Sequence, residues 1–271
     1  MTQRVFITGG ASGLGRAVAL RYARDGARVC IGDINPEQGA EVEQQINAAG
    51  GEGLYLPCDV RRLADFEKVR DELVKRWGGV DIVVNNAGVA TAGTIEDSTL
   101  ADWDWILDIN VMGVVRGCKV FTPLLKKQGS GAFVNIASMA GLMLAPLMSS
   151  YNVSKAGVIA LSETLNHELI NDGIHISAVC PAFFQTNLTA SMRSDIPGIQ
   201  QSVSKMMKRS TVTAEDVAED IHRAVEKKQF WVLPHKTERR LWYVKRASPK
   251  AFDYLLNRES KRRMKKMQKT A

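Results

Sequence analysis

The chain has 271 residues, of which 45% are hydrophobic and 24% charged, and it carries a formal net charge of +7. This is the make-up of an average globular domain, which excludes a disordered tail protein, a collagen-like chain and a disulfide-stapled peptide. The charge is uneven. From His235 to Ala271 thirteen Lys and Arg stand against three acids, a balance of +10 that leaves residues 1–234 at −3.

No apolar run approaches the roughly 20 residues that a bilayer span needs. Val5-Phe6-Ile7, directly after Met1-Thr2-Gln3-Arg4, is too short for the core of a secretory signal. Cys30, Cys58, Cys118 and Cys180 are scattered with no C-x-x-C pair, so neither a disulfide framework nor a zinc cluster is expected, and the expected compartment is a reducing cytoplasm. His167, His175, His222 and His235 lack metal-ligand spacing, so no metal is expected either.

The first apolar run, Arg4–Thr8, predicts a strand. It leads into Thr8-Gly9-Gly10-Ala11-Ser12-Gly13-Leu14-Gly15, which opens a helix over Leu14–Asp25. Glycines here let the backbone turn tightly and approach a pyrophosphate, whose charge is met by the helix N-terminus. The next strand, Arg28–Asp33, ends on an acid twenty residues after Gly13, where a carboxylate can accept hydrogen bonds from a ribose. A carboxylate there repels a 2′-phosphate, and neither Ile34 nor Asn35 is basic, so NAD is favoured; Arg16, close in sequence, leaves NADP open.

A helix over Pro36–Ala49, a strand over Gly53–Pro57 and a helix over Leu63–Trp77 follow, then a strand over Asp81–Asn85 and one long helix over Leu100–Leu125. A strand over Ala132–Ala137 ends at Ser138, and strand ends are where open α/β sheets bind ligands. Thirteen residues on, Tyr151 and Lys155 lie at i and i+4 on one face of a helix over Tyr151–Asn171. A phenol of pKa near 10 moves protons poorly at neutral pH, and an ammonium one turn away favours the phenolate. The strand His175–Cys180, the helix Ala214–Lys227 and the strand Phe230–Leu233 complete the body.

Strands separated by helices of this length give right-handed βαβ units. The expected fold class is α/β: a single domain over residues 1–234, a doubly wound parallel sheet of Rossmann type with helices on both faces. Residues 183–210 break the rhythm and read as a lid or binding loop.

Taken together, these motifs resemble the short-chain dehydrogenase/reductases, in the branch marked by T-G-x-x-x-G-x-G and Y-x-x-x-K. The resemblance covers about residues 4–234 and includes Asp59-Val60, Asn85-Asn86-Ala87-Gly88, Asn110, Ser138, Tyr151 and Lys155. It implies that Tyr151 is the general acid/base and that Ser138 holds the substrate oxygen. Lys155 would bind the nicotinamide ribose and depress the Tyr151 pKa, and Asn110 would anchor a water. Cofactor contacts are implied for Gly9, Ser12, Gly13, Leu14, Gly15, Asp33, Asp59, Val60, Asn86, Ala87, Gly88, Pro181 and Thr186, besides Tyr151 and Lys155. The family commonly has Pro-Gly after the sixth strand where this chain has Pro181-Ala182, and alanine restricts that loop. A homodimer or homotetramer is also implied.

The segment Leu142–Met148 and the apolar, Met-rich residues 183–210 suit a bulky hydrophobic alcohol or ketone of steroid, retinoid or long-chain acyl type, because Met adapts to irregular shapes. The expected activity is hydride transfer between NAD(P) and such a substrate. A reductase of 3-oxoacyl thioesters and a non-catalytic nucleotide-sensing protein are the alternatives. The basic extension over residues 235–271, with Ser248-Pro249 opening a helix, reads either as an amphipathic helix at the inner membrane surface or as a helix docked on the body. No nucleic-acid partner is expected, since charge is its only such feature.

Overall fold

The computed structural model describes residues 2–186, 188, 191–194, 196 and 198–268, without the side chains of 259 and 262–268. Seven strands form one parallel sheet: β1 (Arg4–Thr8), β2 (Arg28–Asp33), β3 (Glu52–Pro57), β4 (Ile82–Asn85), β5 (Gly131–Ile136), β6 (Ile174–Val179) and β7 (Trp231–Val232). Their order is β3-β2-β1-β4-β5-β6-β7. The order reverses between β1 and β4, and such a switch point opens a crevice at the carboxyl ends of the strands.

Side chains alternate across each strand, so every strand feeds two apolar layers. Phe6, Val83 and Phe133 point to one layer with Phe66, Phe121 and Val158; Val5, Ile7, Val84 and Val134 point to the other with Val18, Ile46 and Ile221. The first layer is covered by α3 (Leu63–Trp77), α5 (Gly113–Gln128) and α7 (Ser149–Glu168). The second is covered by α1 (Gly13–Ala23), α2 (Pro36–Ala48) and α9 (Ala214–Glu226). Burial of each large side chain contributes about 1.5–3 kcal/mol. Strands buried on both faces are necessarily near-continuous apolar runs, which is why they stand out in the sequence.

Two expectations need correction, and one short helix is an addition. The helix expected over Leu100–Leu125 is α4 (Leu100–Leu107), a π-helical turn (Asp108–Met112) and then α5. The lid segment is not wholly irregular: α8 (Ile199–Lys208) lies in it, while its positions 187, 189, 190, 195 and 197 fall outside the described residues. Between Ser138 and Tyr151 a five-residue helix, α6 (Met139–Met143), precedes α7.

The C-terminal extension is more helical than expected. The helix opening at Pro249 is α11 (Pro249–Gln268), and before it stands α10 (Lys236–Ala247), which does dock on the body: its Trp242 is buried against Trp231 of β7, ring centroids 5.0 Å apart. Among the described residues no helix is long and apolar enough to cross a membrane.

Candidate active site

The turn after β1 is set by its glycines, Gly9 and Gly13 having φ of +63° and +53°, a region that L side chains avoid. Helix α1 starts at Gly13 with Ser12 as N-cap, yet the Ser12 hydroxyl caps no amide and the first turn holds no acid. The positive end of the helix dipole is therefore left for an external anion, and the donor set fits a pyrophosphate. Leu14 is buried in the core beneath, so only its backbone faces the turn, beside that of Gly15. Asp33, at the end of β2, receives the Ala11 N–H at 3.0 Å and the Asn35 N–H at 3.1 Å. Arg16 donates from Nε to Gln45 Oε1 of α2 at 2.7 Å.

Asn86 and Ala87 serve the scaffold of the crevice. Both amides donate to Thr8 Oγ1, at 3.0 and 3.1 Å, and Asn86 Nδ2 donates to the carbonyls of Thr8 and Gly9. They thus tie the end of β4 to the turn after β1, and Thr8, which the sequence reading left without a role, is the hub. After β3, the Arg61 guanidinium holds the Asp59 carboxyl below its usual range, and Val60 is buried, its carbonyl receiving Arg116 Nη1 at 3.0 Å.

Ser138, Tyr151, Lys155 and Asn110 are all buried at the carboxyl edge of the sheet. Ser138 is the N-cap of α6: its Oγ accepts the Ala140 N–H at 3.1 Å and donates to the Pro181 carbonyl at 3.3 Å. Lys155 donates from Nζ to the Ile136 carbonyl at 2.8 Å, and its Nζ stands 5.9 Å from the Tyr151 ring centroid. Burial pulls the Lys155 pKa down to about 8. The phenol of Tyr151 is pushed above its ordinary value by burial, with hydrogen bonding to Ser138 a partial offset. The direction is opposite to the depression expected from Lys155, because burial is the largest cause and the counteracting one is Ser138.

Asn110 sits in the π-helical turn, a feature common at functional sites. Its Oδ1 accepts the Val89 N–H at 2.8 Å, and its Nδ2 donates to the Val89 carbonyl at 2.9 Å and to Ser154 Oγ at 3.0 Å. Ser154 passes the chain on to the Tyr151 carbonyl at 2.8 Å. Gly88 lies against the same group: a Cβ there would stand 3.2 Å from Asn110 Oδ1 and 3.4 Å from Lys155 Nζ. The space before Lys155 stays open because residue 88 has no side chain. Thr186 receives the Leu188 N–H at 3.3 Å. Ala182 does not need the left-handed backbone that glycine allows, and its N–H is taken by His235 Nδ1 at 3.2 Å.

A doubly wound parallel sheet with an anion-ready turn at its switch point and a Ser, Tyr, Lys and Asn group beside it defines an oxidoreductase of the nicotinamide-dependent kind. The chain belongs to the short chain dehydrogenase family, whose model matches residues 3–197. It is 35% identical to an uncharacterized oxidoreductase of Thermotoga maritima over 221 residues, 82% of this chain and 87% of that one. It is 34% identical to a 2,5-dichloro-2,5-cyclohexadiene-1,4-diol dehydrogenase of Sphingobium indicum over 200 residues, 74% of this chain and 79% of that one. A short chain dehydrogenase/reductase from Burkholderia phymatum, solved in complex with NAD, superposes with a TM-score of 0.86 at 30% identity, covering 94% and 95% of the two chains. The protein is thus an oxidoreductase of the family that acts on CH–OH groups with NAD or NADP.

Proposed function

We propose that the protein oxidises a bulky hydrophobic secondary alcohol, or reduces its ketone, with NAD as the preferred cofactor. The observation that carries this reading is the burial of Ser138, Tyr151 and Lys155 together at the strand ends. NAD supplies a hydride acceptor, or in its reduced form a hydride donor, at the nicotinamide. Tyr151 moves the proton at the substrate oxygen through its phenol, and Ser138 Oγ holds that oxygen by a hydrogen bond. Lys155 keeps two further N–H donors beyond the one spent on Ile136, enough to bind ribose hydroxyls. Burial raises the Tyr151 phenol further above neutral pH, so it holds a proton that it can give to a ketone oxygen.

The preference for NAD is supported by the Asp33 carboxylate beside the turn and by Arg16 being engaged with Gln45. The substrate class is supported by the surroundings of Tyr151, which shares an apolar cluster with Met192, Val203 and Met207 from the lid segment and α8. Exposed Leu100, Met112 and Val153 support assembly into a homodimer or homotetramer; a monomer by light scattering would refute that. On the extension, exposed Leu241, Tyr243, Tyr254 and Leu255 among Lys and Arg support a peripheral contact with the inner membrane surface.

The test is NADH formation by the purified protein over hydrophobic secondary alcohols, with NAD and NADP side by side. Turnover with NAD is expected, and Tyr151→Phe is expected to abolish it while leaving NADH binding unchanged. Turnover with NADP alone would refute the cofactor preference, and an active Tyr151→Phe would refute the mechanism.

A further inference from the structure

We infer that the C-terminal extension is a working part of the active site, with His235 and Lys245 as positioning residues that clamp the two segments holding Ser138. The inference rests on the role proposed above for Ser138, and it adds a residue pair outside the region that the family model matches.

Ser138 stands between two short segments. On one side, the loop after β6 receives Ser138 Oγ and the Met139 N–H on the Pro181 carbonyl, at 3.3 and 2.9 Å. On the other side, Ser138 caps α6, which has only five residues. So short a helix does not stand alone, and its last carbonyls need partners. The extension reaches both segments. His235, buried just before α10, accepts the Ala182 N–H on Nδ1 at 3.2 Å and donates from Nε2 to the Phe183 carbonyl at 3.1 Å. A backbone N–H can only donate, so this pair of bonds requires the neutral ring protonated on Nε2. Burial favours that neutral form by lowering the His235 pKa.

Lys245 donates from Nζ to the Leu142 carbonyl of α6 at 2.5 Å, across 103 positions of sequence. A cation at a helix C-terminus meets both its free carbonyl and the negative end of its dipole. The lysine is itself held. Trp242, three residues earlier on the same face of α10, is buried against Trp231, and Nζ lies 5.5 Å from the ring centroid of buried Phe252 on α11. Beneath α6, a Cβ on Gly141 would come within 2.6 Å of the Lys155 carbonyl carbon, so α6 rests directly on α7 at the turn carrying Lys155. Loosening α6 therefore disturbs Ser138 at one end and the bed it shares with Lys155 beneath.

The experiment compares the full-length protein with Lys245→Met, Lys245→Arg and His235→Leu, in steady-state turnover, NADH binding and hydrogen–deuterium exchange. Lys245→Met is expected to lower kcat about tenfold, the scale set by one charged hydrogen bond, with the Kd for NADH kept within about twofold. Exchange over residues 139–148 should quicken in Lys245→Met, and Lys245→Arg should restore both readouts. His235→Leu should act alike on kcat and quicken exchange after β6; should it fail to fold, the partly exposed Lys245 still decides the matter. Unchanged kcat with unchanged exchange in Lys245→Met would overturn the clamp. If the wild type turns over no alcohol, the functional reading fails, and the exchange data still decide the clamp by themselves.

Discussion

Replacing Lys155 by Met should stabilise the protein at neutral pH while removing its activity. Lys155 is 5% exposed, and burial lowers its pKa from 10.5 to about 8. A shift of that size corresponds to about 3 kcal/mol disfavouring the charged form. Methionine has a similar length, no charge to bury and a flexible chain that fills the same space. It forfeits the bond from Nζ to the Ile136 carbonyl, a loss of about 1–2 kcal/mol, which leaves a gain of about 1–2 kcal/mol. The pH dependence has a definite sign. Between about 8 and 10.5 the unfolded chain binds the lysine proton and the folded one does not, so wild-type stability rises with pH across that window. The advantage of Lys155→Met should thus be full below pH 8, vanish inside that window and become a deficit of about 1–2 kcal/mol by about pH 10.5. Urea unfolding of both proteins without cofactor, at equal concentration across that pH range, measures it. A variant less stable by about 1 kcal/mol at neutral pH, or a difference that does not change with pH, would refute the reasoning.

Asn110→Ala removes three hydrogen bonds, two to the half-buried Val89 backbone and one to Ser154, which keeps its bond to the Tyr151 carbonyl. A loss of about 2–3 kcal/mol is expected in the same urea assay, and a loss below about 0.5 kcal/mol would mean that the amide does not hold the π-helical turn. The basic extension should sediment with anionic vesicles at low salt and release them at high salt, because contacts between exposed charges are screened. Binding that is equal on neutral and anionic vesicles would remove the charges of α10 and α11 from the membrane reading.

The strands were legible because their burial is simple. Arg4–Thr8 and Arg28–Asp33 carry apolar side chains on both faces, and their observed bounds coincide with the expected ones. The π-helical turn was not legible, because one extra residue per turn barely disturbs a helical pattern that runs on from Trp105 to Phe121. Helix α10 was hidden by composition: of its twelve residues only Trp242 is fully buried, and the rest reads as a solvated basic stretch. In the site, Ser138, Tyr151 and Lys155 were legible from their spacing, whereas Thr8, Asn86 and Ser154 act through bonds that no spacing encodes. His235 shares with the other three histidines a lack of metal-ligand spacing, and nothing else in the sequence sets it apart. Only the fold reveals that Ala182 and Phe183 meet it.

The segment from α6 to α7 shows how such a site is held at tolerable cost. Leu144 and Leu147 have φ of +55° and +67°, each a strain of about 1–3 kcal/mol for a side chain of this kind. Strain of this sort persists only where several contacts fix it. Four carbonyls of the segment find donors: Leu142 from Lys245, Ala145 and Met148 from the side chain and backbone of Asn152, and Leu147 from the Gly93 N–H. These donors sit on α10, on α7 and on the chain after β4, so none of them alone decides whether the segment keeps its path. Removing one should loosen the segment without releasing it, because the strained leucines still have the others to hold them. That is why the clamp variants are expected to lower turnover and quicken local exchange in a protein that remains folded.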